Sequence, residues 1–148
     1  MKGLSTIALG VTLACAGCDY PRDPDGTTGR VRASGIIRVG LAEIAPPDEL
    51  SARRFLATME RASGAHARVE RAPAETLLAR LEAGKLDLVL GDFAEDSPWI
   101  DNAALMEPLT RRIVGERVVG LAPVAQNGEN EWIGLVERTV RETPRGAP

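Results

Sequence analysis

The chain is poor in cysteine, histidine, lysine and aromatic residues, and each shortage closes a route to function. Its 148 residues carry two cysteines, Cys15 and Cys18, so no disulfide framework can staple whatever folds from the rest. His66 is the only histidine, and it falls in a turn between a predicted helix and a predicted strand. Serine- or cysteine-based catalysis therefore lacks a base, and a solvated His66 is not expected to bind metal or move protons. Phe and Trp supply only four side chains, two of which, Phe93 and Trp99, share one stretch. Neither sign of charge dominates: 18 Lys plus Arg stand against 21 Asp plus Glu, a formal net charge of −3. That balance gives no reason to expect nucleic acid or an anionic membrane surface as partner. Lys2 and Lys85 are the only lysines, so the basic side is nearly all arginine.

A membrane-spanning run is missing too. Leu4 to Leu13 is apolar but too short to span as a mature helix. With Met1-Lys2 before it and Cys15-Ala16-Gly17-Cys18 after it, residues 1–17 read as a signal peptide. The small residues before Cys18 resemble a lipobox, in which the leader is removed and the new N-terminal cysteine is acylated. Cys15 departs from the aliphatic residue usual at its position. Cleavage before Cys15, a plain secretory signal and an uncleaved anchor are the other readings of this stretch. Acylation at Cys18 implies an extracytoplasmic protein held by its lipid. Loss of residues 1–17 leaves 17 basic and 21 acidic residues, or −4. Asp19, directly after Cys18, resembles an inner-membrane retention signal. Residues 18–34 are polar, rich in Pro, Gly, Asp and Arg and without periodicity, which predicts a flexible tether.

What is present is an alternation of short apolar strands with amphipathic helices. Gly35–Leu41 is a strand by its β-branched content. Pro46-Pro47-Asp48-Glu49 opens a helix with prolines at its start and acids in its first turn, and Gly64 ends it. Ala52, Phe55, Leu56, Met59 and Ala62 form its apolar face. Ala67–Ala72 is a second strand, and Pro73 opens a second helix with Leu77, Leu78 and Leu81 on one face. Gly84 sits where a left-handed C-terminal cap is wanted. Leu86–Leu90 suits a parallel strand covered on both faces, followed by a polar loop from Gly91 to Asn102. Ile113-Val114 and Val118–Leu121 are further strands, or one strand bent at Gly115. After a turn at Asn127-Gly128, Glu129–Glu142 is a last helix with Trp132, Val136 and Val140 in line. The order predicts an α/β fold, an open, mostly parallel sheet with helices on both faces, over residues 35–142, with a frayed tail at 143–148.

The helix-to-strand step Leu77–Asp92 resembles that in the first lobe of bacterial extracellular solute-binding proteins, family 3, the amino-acid-binding proteins of ABC transporters. Gly35-Ile36-Ile37-Arg38-Val39-Gly40 is similar to the family's first strand. Val118–Leu121 and Asn127–Ile133 are similar to its closing strand and helix. The resemblance implies a periplasmic-binding-protein-like fold of which only the first lobe is present. It also implies ligand binding at the carboxyl ends of the strands, through Glu43, Gly91, Asp92, Phe93, Ala94, Ser97 and Trp99. The family's ligand motif after the third strand is eroded. Ala94 stands at its threonine, no arginine follows Pro98, and Asp92, Glu95 and Asp96 would repel an anion. The first loop, Ala42–Pro47, lacks the aromatic that stacks on the ligand. An α-amino acid is therefore not the expected solute.

Receiver domains of two-component signalling also carry acids at strand ends, but neither Lys2 nor Lys85 can stand near the last strand as they require. The acids Glu43, Asp92, Glu95 and Asp96 are read as a solvated, helix-capping cluster in preference to a cation site. Trp99 is either an anchor for a protein partner or folded back over the sheet edge. No cofactor, no metal and no catalysis are expected. The expected function is that of a lipid-anchored, extracytoplasmic lobe associated with a transporter and binding a small solute. The alternative is a ligand-free accessory or regulatory module docked to a membrane protein. A homodimer rebuilding the cleft from two lobes is a third arrangement.

Overall fold

The apolar alternation of Ile37, Val39 and Leu41 buries one face of a strand, while Gly40 between them lets a helix lie close on the other. The computed structural model describes residues 23–94 and 103–144. Among these the elements run α1 (Thr27–Ser34), β1 (Ile36–Leu41), a 3-10 turn (Pro46–Asp48) leading into α2 (Glu49–Ser63), β2 (His66–Arg71), α3 (Ala74–Glu82), β3 (Leu88–Ala94), β4 (Ala103–Leu105), β5 (Arg112–Val114), β6 (Arg117–Gln126) and α4 (Asn130–Glu142). The described strands form one sheet in the order β2-β1-β3-β6-β4, with β5 beside β6 on the same edge as β4. β2, β1 and β3 are parallel, and β6 runs antiparallel to β3, β4 and β5. One strand, β6, thus opposes five others, which is the mostly parallel open sheet expected from the sequence.

Helices cover both faces. On one, Val31 of α1, Phe55 and Met59 of α2, and Trp132 and Val136 of α4 pack over Ile37, Val39, Leu88, Leu90 and Leu121. On the other, Leu77, Leu78 and Leu81 of α3 pack over Val89, Phe93, Ala122 and Val124. Gly84 ends α3 at φ +66°, with its own N–H bonded to the Leu81 carbonyl and that of Lys85 to the Arg80 carbonyl. Those are the two bonds of a Schellman cap.

Three expectations need correction. The third strand does not stop at Leu90: it continues through Gly91-Asp92-Phe93-Ala94, because β6 offers a full ladder from Val89↔Val124 to Ala94↔Val119. The strand expected at Val118–Leu121 extends over Arg117–Gln126, and it runs antiparallel to β3. The expected tether becomes helical from Thr27, although Val31 is the only apolar side chain it buries. Capping supplies the missing hold. Buried Glu129 accepts the amides of Asp25 at 2.7 Å and Thr27 at 2.8 Å. Asp23 accepts those of Glu131 at 2.9 Å, Trp132 at 3.2 Å and Thr28 at 2.9 Å. Each chain segment thus caps the other's helix.

At the amino ends of the strands, Asp87 takes Arg30 at 2.6 Å and a two-pronged contact from Arg38 at 2.6 and 3.0 Å. Its amide and carbonyl are used as well, by the Arg38 carbonyl at 2.8 Å and by Trp132 Nε1 at 2.7 Å.

Candidate solute-binding site

In a sheet of this kind ligands bind outside the carboxyl ends of the parallel strands. That end carries the segments after Leu41, after Arg71 and at the close of β3. Because β6 is reversed, the β5–β6 hairpin rises at the same end, with Arg112 and Val119 paired and Val119 also opposite Ala94.

The sequence-expected residues fare differently there. Glu43 is exposed and lines an open cleft of about 430 Å³ together with Leu41, Ala42, Arg71, Ala72 and Pro73. No hydrogen bond or ion pair engages the Glu43 or Arg71 side chain among the described residues. Gly91 is shut off from any ligand, because Ala42 Cβ lies only 2.8 Å from where a Gly91 Cβ would stand and the Phe93 ring 3.3 Å away. Phe93 itself is buried in the core under α3. Ala94 is half-buried in the ladder opposite Val119. Cys18, Glu95, Asp96, Ser97 and Trp99 lie outside the described residues.

Asp92, expected in a solvated, helix-capping cluster, is instead largely buried and paired. Its Oδ2 accepts the Ala45 amide at 2.9 Å, fixing the loop after β1, and receives Arg112 Nη2 at 2.5 Å. Arg112 Nη1 lies 3.2 Å from Oδ1 of the same carboxylate and also donates to Asp48, which stands at the end of the 3-10 turn before α2. The hydrogen bonds to Asp92 raise the Arg112 pKa, with the charges of Asp92 and Asp48 adding to them against the opposing effect of burial. Sequence reasoning sought an arginine just past Pro98 and missed this one, which comes from a separate strand. The only available signal was Arg111-Arg112 ahead of the apolar Ile113-Val114.

His66 sits at the amino end of β2, at the opposite end of the sheet from this site, with an exposed side chain. Among the described residues no group of three or more His, Cys, Asp or Glu could hold a metal ion.

Solved structures of similar fold include solute-binding proteins and their domains. A point mutant of domain 1 of TmArgBP, in its arginine-bound form, gives a TM-score of 0.66 at 15% identity, over 78% of this chain and 96% of that one. An ancestral cationic amino acid solute-binding protein gives 0.65 at 9% identity, over 78% and 93%. The VFT2 domain of Bordetella pertussis BvgS, as a double mutant, gives 0.63 at 9%, over 85% and 95%. The fold class is therefore a single periplasmic-binding-protein-like lobe. No protein-family model matches the sequence, and no curated protein does.

Proposed function

We propose that this chain is a lipid-anchored, extracytoplasmic binding lobe that holds a small polar solute and serves a membrane transporter. The observation that carries the reading is the cleft at the carboxyl ends of β1 and β2. It presents Glu43 and Arg71, both without a side-chain partner among the described residues, over the small apolar surfaces of Ala42, Ala72 and Pro73. Unpaired charges of both signs beside apolar walls suit a solute with a charged group and a short carbon frame. The arginine-bound domain 1 of TmArgBP supports the idea that one lobe of this fold suffices to hold a ligand. Acylation of Cys18 would place the lobe at a membrane, where a transporter could receive the solute. The reading assigns no catalysis.

The test is a thermal-shift and calorimetric screen of the chain from residue 19, against amino acids, polyamines and small organic acids. A ligand that binds only the native state, present at a hundred times its dissociation constant, adds about 2.7 kcal/mol and moves the midpoint by several degrees. Glu43→Gln and Arg71→Gln should each weaken a hit about tenfold, which is roughly 1.4 kcal/mol. Neither should change the ligand-free midpoint, since both side chains are exposed. The second reading, a ligand-free module docked to a membrane protein, draws on the exposed Ile113, Val114 and Val118 of the hairpin. A screen without any shift would favour it over solute binding.

A further inference from the structure

The cluster of Arg112, Asp48 and Asp92 plays no part in the cleft reading, yet it is the most highly organised polar feature at the carboxyl end of the sheet. We propose that Asp48 and Asp92 form a guanidinium-binding site and that Arg112 fills it as an intramolecular ligand delivered by the β5–β6 hairpin. The geometry is that of a guest on a receptor. The two acids come from separate elements, the close of β3 and the turn before α2, and their side chains are 13% and 8% exposed. Arg112 reaches them from a third element and stays 31% exposed. Its planar head meets Asp92 in a forked contact, Nη2 to Oδ2 at 2.5 Å and Nη1 to Oδ1 at 3.2 Å, a pattern an ammonium cannot reproduce.

The host is pre-set without its guest. The Ala45 amide holds Asp92 Oδ2 at 2.9 Å, so the carboxylate keeps its orientation when the guanidinium leaves. Two carboxylates against one guanidinium leave a negative charge over, so the emptied site still attracts a cation.

β5 contributes only Arg112, Ile113 and Val114 to its ladder with β6, and residues Ile113 and Val114 are 78% and 54% exposed. Lifting the hairpin therefore uncovers an acidic site without exposing much new apolar surface. The site would take a small solute bearing a guanidinium group. Arginine, which domain 1 of TmArgBP holds, belongs to that chemical class.

The experiment uses the full chain and methylguanidinium as probe, with methylammonium and sodium at equal ionic strength as controls. Arg112→Met keeps the aliphatic stem and removes the charge. This variant should melt below the parent and regain its midpoint with methylguanidinium alone, binding it saturably and at least tenfold more tightly than the parent does. Adding Asp92→Asn to Arg112→Met should abolish that binding. A folded Arg112→Met that binds no methylguanidinium, or binds it equally with Asp92→Asn present, overturns the proposal. Should Arg112→Met fail to fold, methylguanidinium added during refolding must recover the native tryptophan fluorescence, and failure to do so also overturns it.

Discussion

Asp87 shows how a single side chain can organise one end of the lobe. It is almost wholly buried, yet it meets Arg30 and Arg38, whose side chains keep roughly a third of their surface in water. Burial pushes the Asp87 pKa up, but the hydrogen bonds from Arg38 and Arg30 outweigh it, so the group lies below its ordinary 3.8. Arg38 is raised in turn by its hydrogen bond to Asp87. A carboxylate with a lowered folded pKa adds stability that is fully present above 3.8 and is lost as pH falls through the folded value. Asp87→Asn should therefore cost about 2–3 kcal/mol near neutral pH, the scale of hydrogen bonds to a charged group, because the arginines can rehydrate in part. Urea midpoints measured across pH should show the gap between parent and variant closing as pH drops below 3.8. Nothing local in the sequence announced this triad. Arg30 fell in a stretch read as tether, and Asp87 read as one polar residue inside an apolar strand.

At the scale of elements, what was legible is what depends on near neighbours in sequence. The apolar periodicity of α2 and α3, the Gly84 stop and the β1 alternation all act within one or two turns of chain. What was not legible depends on partners far away. Gly91 to Ala94 looked like a loop because Gly and Asp are poor strand formers. They are strand because β6 supplies their ladder and Arg112 and Ala45 satisfy Asp92. Helix α1 was hidden for the same reason, since its caps Asp23 and Glu129 stand on opposite ends of the described chain. Asp23→Ala should cost about 1–2 kcal/mol, the upper range for a lost cap, since it strips acceptors from two helices at once. Amide exchange should then quicken at Thr28, Glu131 and Trp132 together. Gly120 gives a sharper case of the same long-range logic. A Cβ there would run into the Thr110 backbone carbonyl and come within 2.7 Å of Pro108 Cβ, whereas one at Gly40 meets the Leu77 and Leu86 methyls at 2.9 Å and Leu77 Cβ at 3.3 Å. Leucine side chains can turn aside and a backbone carbonyl cannot. Gly120→Ala should thus lose about 2–3 kcal/mol, and Gly40→Ala less, in paired denaturant melts.

For the whole molecule, the decisive fact is internal to the chain. β5 and β6 are joined by Gly115-Glu116 alone, and only residues 95–102 separate β3 from β4. Neither interval has room for a second lobe, in keeping with the single lobe that the family resemblance implied. Two-lobe binding proteins close about a hinge, bury most of the ligand and compact as they do so. A single lobe has no hinge to close, so a solute in the Glu43–Arg71 cleft stays open to water on one side. Its affinity then rests on charge more than on enclosure, and surface charge is screened over about 8 Å at physiological salt. Two results should follow for any solute the screen identifies. Binding should weaken steadily as sodium chloride is raised, because little apolar burial backs the ionic contacts. The scattering radius and mass of the ligand-bound protein should match those of the free protein. A mass that doubles on adding solute would mean instead that a second copy supplies the missing lid, and binding would then tighten with protein concentration. Running the titration at two protein concentrations tells these apart, since a lone lobe gives the same dissociation constant at both.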